Sequence, residues 1–164
     1  MMATAKNFKS IGILSSLFII LSFGLSDPIA AQLKSKDQEI GRDRHYIAFA
    51  SGVVRDTKTG LEWVAGPDKA TNFDEAKRYV EHLTVAGGGW RLPAKEELEA
   101  LYEKGKGSQN MTPLLKTTGL YVWSGESEDP STAWGFSFLS GSGVWIGRGE
   151  SDFFIRAFAV RSRK

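Results

Sequence analysis

Trp90-Arg91-Leu92-Pro93, followed after three residues by Glu97-Leu98, is the stretch whose reading decides the fold. It sets an aromatic and an arginine directly before a proline-started helix. Pro93 brings a preset φ and needs no amide partner at a helix start, while Glu96 and Glu97 favour the positive end of the helix dipole. A helix is expected over 94–104. Upstream, Asn72 with Glu75 three residues later is a variant of the capping box. Phe73, Ala76, Tyr79, Val80 and Leu83 then recur at helical spacing, leaving Glu75, Lys77, Arg78 and Glu81 to water, and Gly87-Gly88-Gly89 stops the run. That is an amphipathic helix laid on a core.

Strands are expected on both sides of this helical pair. Residues 47–55 are rich in β-branched and aromatic side chains, and the polar turn 56–60 hands the chain to a second strand at 61–64. Gly60 can take the positive φ that such a turn often requires. After the second helix, 105–118 reads as a long loop held down by Met111, Leu114 and Leu115. Strands follow at 121–124, 133–139, 144–149 and 154–161, with Ser140-Gly141-Ser142-Gly143 as a hairpin turn. Trp134, Phe136 and Phe138 alternate with Gly135 and Ser137, the mark of a strand with one heavy face. The order predicts an α+β fold, a mostly antiparallel twisted sheet with two α-helices.

Further residues fall into one pattern with the opening stretch: Asp56-Thr-Lys-Thr-Gly60-Leu61-Glu-Trp63 before it, and Tyr121-Val-Trp123-Ser124, Ala133-Trp134 and Val160-Arg161 after it. Together they resemble the DUF1566 family, also called the Lcl C-terminal domain, over roughly residues 52–163. The resemblance implies the C-type-lectin-like fold and a likeness to the globular end of a bacterial collagen-like adhesin. It does not name a ligand, because that fold carries sugar binders, protein binders and an enzyme group. Members of the family often carry a cysteine in the first helix and another in the last strand. The corresponding residues here are Val80 and Ala159, so the resemblance implies packing in place of a bridge.

The chain opens with Lys6 and Lys9, an apolar run over 11–25 and a small-residue end at Ala30-Ala31, which reads as a secretory signal peptide over 1–31. The run is shorter than the ~20 residues a bilayer span needs, and it is interrupted by serines. No stable membrane span is expected after leader removal, and the product is expected in the periplasm or outside the cell. Residues 32–46 read as a polar, flexible lead-in, and 47–164 as one domain. The formal charge of +2 gives no strong pull toward nucleic acid or anionic membrane. There is no cysteine, which excludes disulfides, an acylated cysteine and the thiol chemistry of the formylglycine-generating oxidases of this fold superfamily.

Five tryptophans invite a sugar-stacking reading. Each large aromatic can bury about 150–250 Å², so a cysteine-free domain has reason to place Trp63, Trp90, Trp123 and Trp134 inside. Trp145 differs. In Gly143-Val144-Trp145-Ile146-Gly147, Val144 and Ile146 claim one strand face and Trp145 the other, and the glycines suit either close ligand approach or a tight strand crossing. Arg148 and Arg156 offer bidentate pairing with carboxylate, sulfate or phosphate. Arg91 and Arg161 read instead as structural partners of Glu97 or Asp56.

Glu126, Glu128 and Asp129 beside Pro130 form an acidic loop without the paired elements a lectin-type calcium site requires. His45 and His82 offer no zinc cluster, Ser124 lies outside any nucleophile elbow, and no cofactor or metal is expected. The residues therefore point to an exported, non-catalytic recognition domain for a glycan or other envelope component, with Trp145, Arg148, Arg156 and Glu126 as ligand contacts. The alternative is a structural or protein-interaction subunit of the envelope, with an envelope protein as partner. A hydrolase would need a cleft gathering at least two perturbed carboxylates.

Overall fold

The computed structural model describes residues 38–151 and 154–163, and the expected leader lies outside the described residues. Strands β1 (Glu39–Asp43), β2 (Tyr46–Phe49), β3 (Val54–Asp56) and β4 (Leu61–Ala65) lead into helix α1 (Phe73–Glu81). A 3-10 turn at Val85–Gly87 and helix α2 (Lys95–Leu101) follow. Strands β5 (Tyr121–Trp123), β6 (Thr132–Ser137), β7 (Ser142–Gly147), β8 (Ile155–Arg156) and β9 (Phe158–Ser162) complete the chain. One sheet runs β1-β2-β3-β4-β9 and the other β7-β6-β5-β8. Every pairing is antiparallel except that of β5 with β8. The fold is α+β with two helices, as the pattern of elements predicts.

Helix α1 starts where local chemistry places it. The Asn72 side chain accepts from the Glu75 amide at 2.9 Å, and the Asn72 amide donates to Glu75 Oε2 at 3.2 Å. These bonds satisfy amides that have no partner within the helix. At α2 the Glu97 carboxylate accepts from the Ala94 amide at 2.7 Å and is gripped bidentately by Arg91 at 2.6 and 2.7 Å. Burial pushes the Glu97 carboxyl up, but the hydrogen bonds from Arg91 and the Ala94 amide outweigh it and hold the group below its ordinary range.

Two apolar clusters hold the layers together. Leu98 and Leu101 of α2 pack with Trp63, Trp134, Phe136, Phe138 and Phe158 in one. Phe73, Ala76 and Val80 of α1 pack with Trp90, Trp123, Ile146 and Ile155 in the other. The two sheets contribute to both clusters, so their central strands are covered on each face. Val80 and Ala159 are both buried in the α1 cluster.

Four expectations need correction. Part of the stretch read as a lead-in is β1, an edge strand whose polar side chains hide it from an apolar-period reading. Residues 47–55 are two strands, β2 and β3, because Gly52 at φ +87° turns the chain back and Ala48 pairs with Val54. Helix α2 ends at Leu101, not near 104: Tyr102 leaves it in extended conformation and packs edge-on to Phe136. The run 154–161 divides at Ala157, β8 pairing with β5 and β9 with β4. The Ala157 carbonyl accepts from the Gly66 amide at 2.8 Å, an approach so close that any β-carbon at residue 66 would collide with it.

Candidate functional site

The β5–β6 connection, 124–131, organises the surface that the expected site residues share. The Gly125 amide donates to the Pro93 carbonyl at 2.7 Å and the Trp134 amide to the Glu126 carbonyl at 3.0 Å, fixing the connection against the start of α2. Glu126 folds against the head of α2 while staying partly exposed: its carboxylate accepts from the Lys95 amide at 3.0 Å and lies 3.4 Å from the Lys95 ammonium. Asp129 accepts from the Ser131 hydroxyl and amide and from the Thr132 amide, and these bonds, Ser131's first, hold its carboxyl below the ordinary range. Two of the three carboxylates in this acidic loop are thus engaged by the protein's own donors.

On one side of the connection stands Trp145, 39% exposed on the edge strand β7. The Lys95 ammonium sits 4.0 Å from the centre of its ring and 5.5 Å from that of Trp134, the residue paired with it across the β6–β7 ladder. Trp145, Lys95 and Glu126 therefore form one group, an exposed indole with a balanced ion pair beside it. Gly143 makes room for a neighbour rather than a ligand, since a β-carbon there would overlap the buried Trp134 ring. Trp63, Trp90 and Trp123 are buried in the core with Trp134.

Arg148 lies on the other side. Its guanidinium stacks 4.6 Å from the centre of the Phe73 ring and pairs with Asp74 at 2.5 Å, while its carbonyl accepts from the Phe73 amide. It ties the end of β7 to the start of α1. Next to it a cleft of about 320 Å³ opens between α1 and the connection, with Phe73, Val80 and Leu92 as apolar lining and Lys77, Arg91, Arg148 and Glu81 as charged groups. The structure thus brings Trp145 and Glu126 together and sets Arg148 across the connection from them.

Arg156 is elsewhere and only 6% exposed. Its Nε donates to Asp68 at 2.8 Å and its Nη2 contacts Thr118 at 3.3 Å. The Thr118 amide and Arg156, in that order, hold the Asp68 carboxyl below its ordinary value of 3.8. A depressed folded pKa contributes stability that is present above the unfolded value and lost as pH falls through the folded one. Asp68→Asn should therefore flatten the acid limb of a melting-temperature profile from about pH 4 downward. The wild-type chain should keep its advantage above that range and lose it below.

The remaining polar candidates have structural partners. His45 lies 3.6 Å from Asp56, and the His82 ring bonds to the Arg78 carbonyl. Ser124 is fully buried, and its hydroxyl accepts from the Glu126 amide. Among the described residues no three His, Asp or Glu side chains converge as a metal site. Arg91 pairs with Glu97 as expected, but Arg161 pairs with Glu62 rather than Asp56. Asp56 is occupied by the Lys58 and Thr59 amides and the Thr59 hydroxyl. Sequence reasoning missed Lys95, whose position directly after the proline-started turn is the one local signal that it stands at the head of α2.

Two mostly antiparallel sheets and two helices define a small α+β domain. Residues 52–159 match the Lcl C-terminal domain, and the chain belongs to that family. Comparison with curated proteins and with solved structures finds no significant match.

Proposed function

We propose that this is an exported, non-catalytic recognition domain, periplasmic or secreted, that binds a glycan at the surface around Trp145 and the 124–131 connection. The observation that carries the reading is the Trp145–Lys95–Glu126 group. The Lys95 ammonium covers one face of the indole, so a pyranose ring would stack on the other, with the ammonium and the Glu126 carboxylate beside it as carboxylate and hydroxyl partners. Strand and helix start hold all three in place, so little ordering is needed on binding. Family membership supports an interaction role of this general kind.

The test is a glycan array and acidic-polysaccharide affinity measurement on the protein from Gln32 onward. Trp145→Ala should weaken binding by about tenfold or more, as truncating a central aromatic anchor does. Equal binding by the variant, or indifference to every glycan, would reject the reading. A protein partner in the envelope is the second reading, favoured by exposed Val144 beside Trp145 on the same strand. It predicts a fixed protein recovered with the domain from envelope extract.

A further inference from the structure

The edges of the two sheets are not alike. Edge strand β1 carries Glu39, Arg42 and Asp43 and has a register shift between Glu39 and Gly41. The outer side of β9 is covered by a bridge in which Arg91 and Val160 exchange amide-to-carbonyl bonds of 2.9 and 3.1 Å. Strand β8 is two residues long. Charge, bulge, cover and shortness are the usual means by which a sheet edge avoids pairing with another chain. Strand β7, six residues from Ser142 to Gly147, has none of them: no charge, no proline and no bulge in its register with β6.

The direction of its free backbone groups follows from the ladder. The Arg148 amide donates to the Ser131 carbonyl, so residues of even number along β7 bond inward to β6. Gly143, Trp145 and Gly147 then turn their amides and carbonyls outward, and among the described residues only the Glu150 amide, which donates to the Gly147 carbonyl, meets any of them. The sequence across this edge is a chemical palindrome: glycine, β-branched aliphatic, tryptophan, β-branched aliphatic, glycine.

We infer that β7 pairs antiparallel with β7 of a second copy of this chain, about a two-fold axis at Trp145. A two-fold contact needs a self-complementary surface, and this register supplies one. Trp145 meets Trp145 as a hydrogen-bonded pair with both backbone groups free, and Gly143 meets Gly147, whose amide is open to the Gly143 carbonyl while its own carbonyl already accepts from Glu150. Val144 meets Ile146 on the opposite face. Val144 and Trp145, both exposed in the single chain, are covered together.

Charge is compatible with this approach. Lys95, the cation nearest the axis, is already balanced by Glu126, and the register sets Arg148 opposite Ser142 rather than another cation. The area is that of one short strand and its side chains, below the ~1,200 Å² of total buried surface typical of stable complexes. The dimer is therefore weak, with a dissociation constant on the order of 100 µM. The inference goes beyond the glycan reading and does not rest on it, because the pairing is measured without any sugar.

Sedimentation equilibrium across concentrations up to about 1 mM tests it. The wild-type protein should shift from monomer to dimer over that range. Trp145→Glu and Trp145→Lys each put like charges opposite one another at the axis, and each alone should stay monomeric. An equimolar mixture of the two should regain dimer, because the pair across the axis is then of opposite charge. A monomeric wild type at the highest concentration, dimers in either charged variant alone, or a mixture that stays monomeric would each overturn the inference.

Discussion

Replacing Glu62 with alanine should lower the unfolding free energy by about 3–5 kcal/mol, the range seen when one partner of a buried ion pair is removed. Glu62 is 4% exposed and stands between two arginines. Arg55 reaches its Oε1 at 3.2 Å, and Arg161 reaches its Oε2 at 2.7 and 3.0 Å. These three residues belong to β3, β4 and β9, adjacent strands of one sheet. Arg161 also donates to the Ala86 and Gly88 carbonyls and lies 4.4 Å from the centre of the Trp90 ring. Loss of the carboxylate would leave two arginines crowded together, one of them 13% exposed, with no compensating anion between them. Urea unfolding of the variant measures the loss. The triple replacement Arg55→Met, Glu62→Leu, Arg161→Met should recover much of it, since an apolar substitute for a whole buried ionic group is often neutral or better. A loss under about 1 kcal/mol for Glu62→Ala would show that water reaches the triad.

That triad shows where sequence reasoning stops. The motif residues Asp56 and Glu62 lie in one hairpin, and either could serve Arg161. Register alone decides: Glu62 is directly opposite Arg161 across β4 and β9, while Asp56 faces the turn it caps. Features fixed by neighbours in the chain were legible, including the Asn72–Glu75 cap, the start of α2 after Pro93, the heavy face of β6 and the outward Trp145. Features fixed by distant backbone were not. The division of 154–161 between two sheets depends on Gly66, and the run itself is apolar apart from Arg156 and the terminal Arg161.

The candidate site divides in the same way. Trp145 was readable from period-two alternation, and Glu126 from an acidic loop. The attachment of Arg148 to Asp74 and Phe73, and the burial of Arg156 beside Asp68, depend on partners in remote elements that no local pattern announces. An arginine near the end of a strand looks the same in sequence whether it greets a ligand or a helix. Lys95 was hard to single out because its partners, Glu126 in the β5–β6 connection and Trp145 within β7, are both remote in sequence.

Trp123→Ala should cost about 3–5 kcal/mol through lost packing and a residual cavity, and somewhat more through the carbonyl it leaves unpaired. Trp123 is completely buried, its ring edge-on to Phe73 at 5.6 Å, and its Nε1 donates to the Thr71 carbonyl at 3.0 Å. The Thr71 amide in turn donates to the Ile155 carbonyl, so one indole joins β5, β8 and the entry to α1. Phe73 is also the residue on which Arg148 stacks and part of the wall of the cleft beside α1. The effect should therefore reach the surface: the start of α1 loosens, and amide exchange at 73–76 should rise well beyond that of α2. Trp123→Phe separates the causes, because it keeps most of the apolar volume while removing the donor. It should cost about 1–3 kcal/mol, the range for an unpaired buried acceptor. If Trp123→Phe proves as damaging as Trp123→Ala, the Thr71 bond rather than the packing holds α1 to the sheet. If both are mild, α1 is anchored chiefly from its far end by Val80, and the cleft is more plastic than its packing implies.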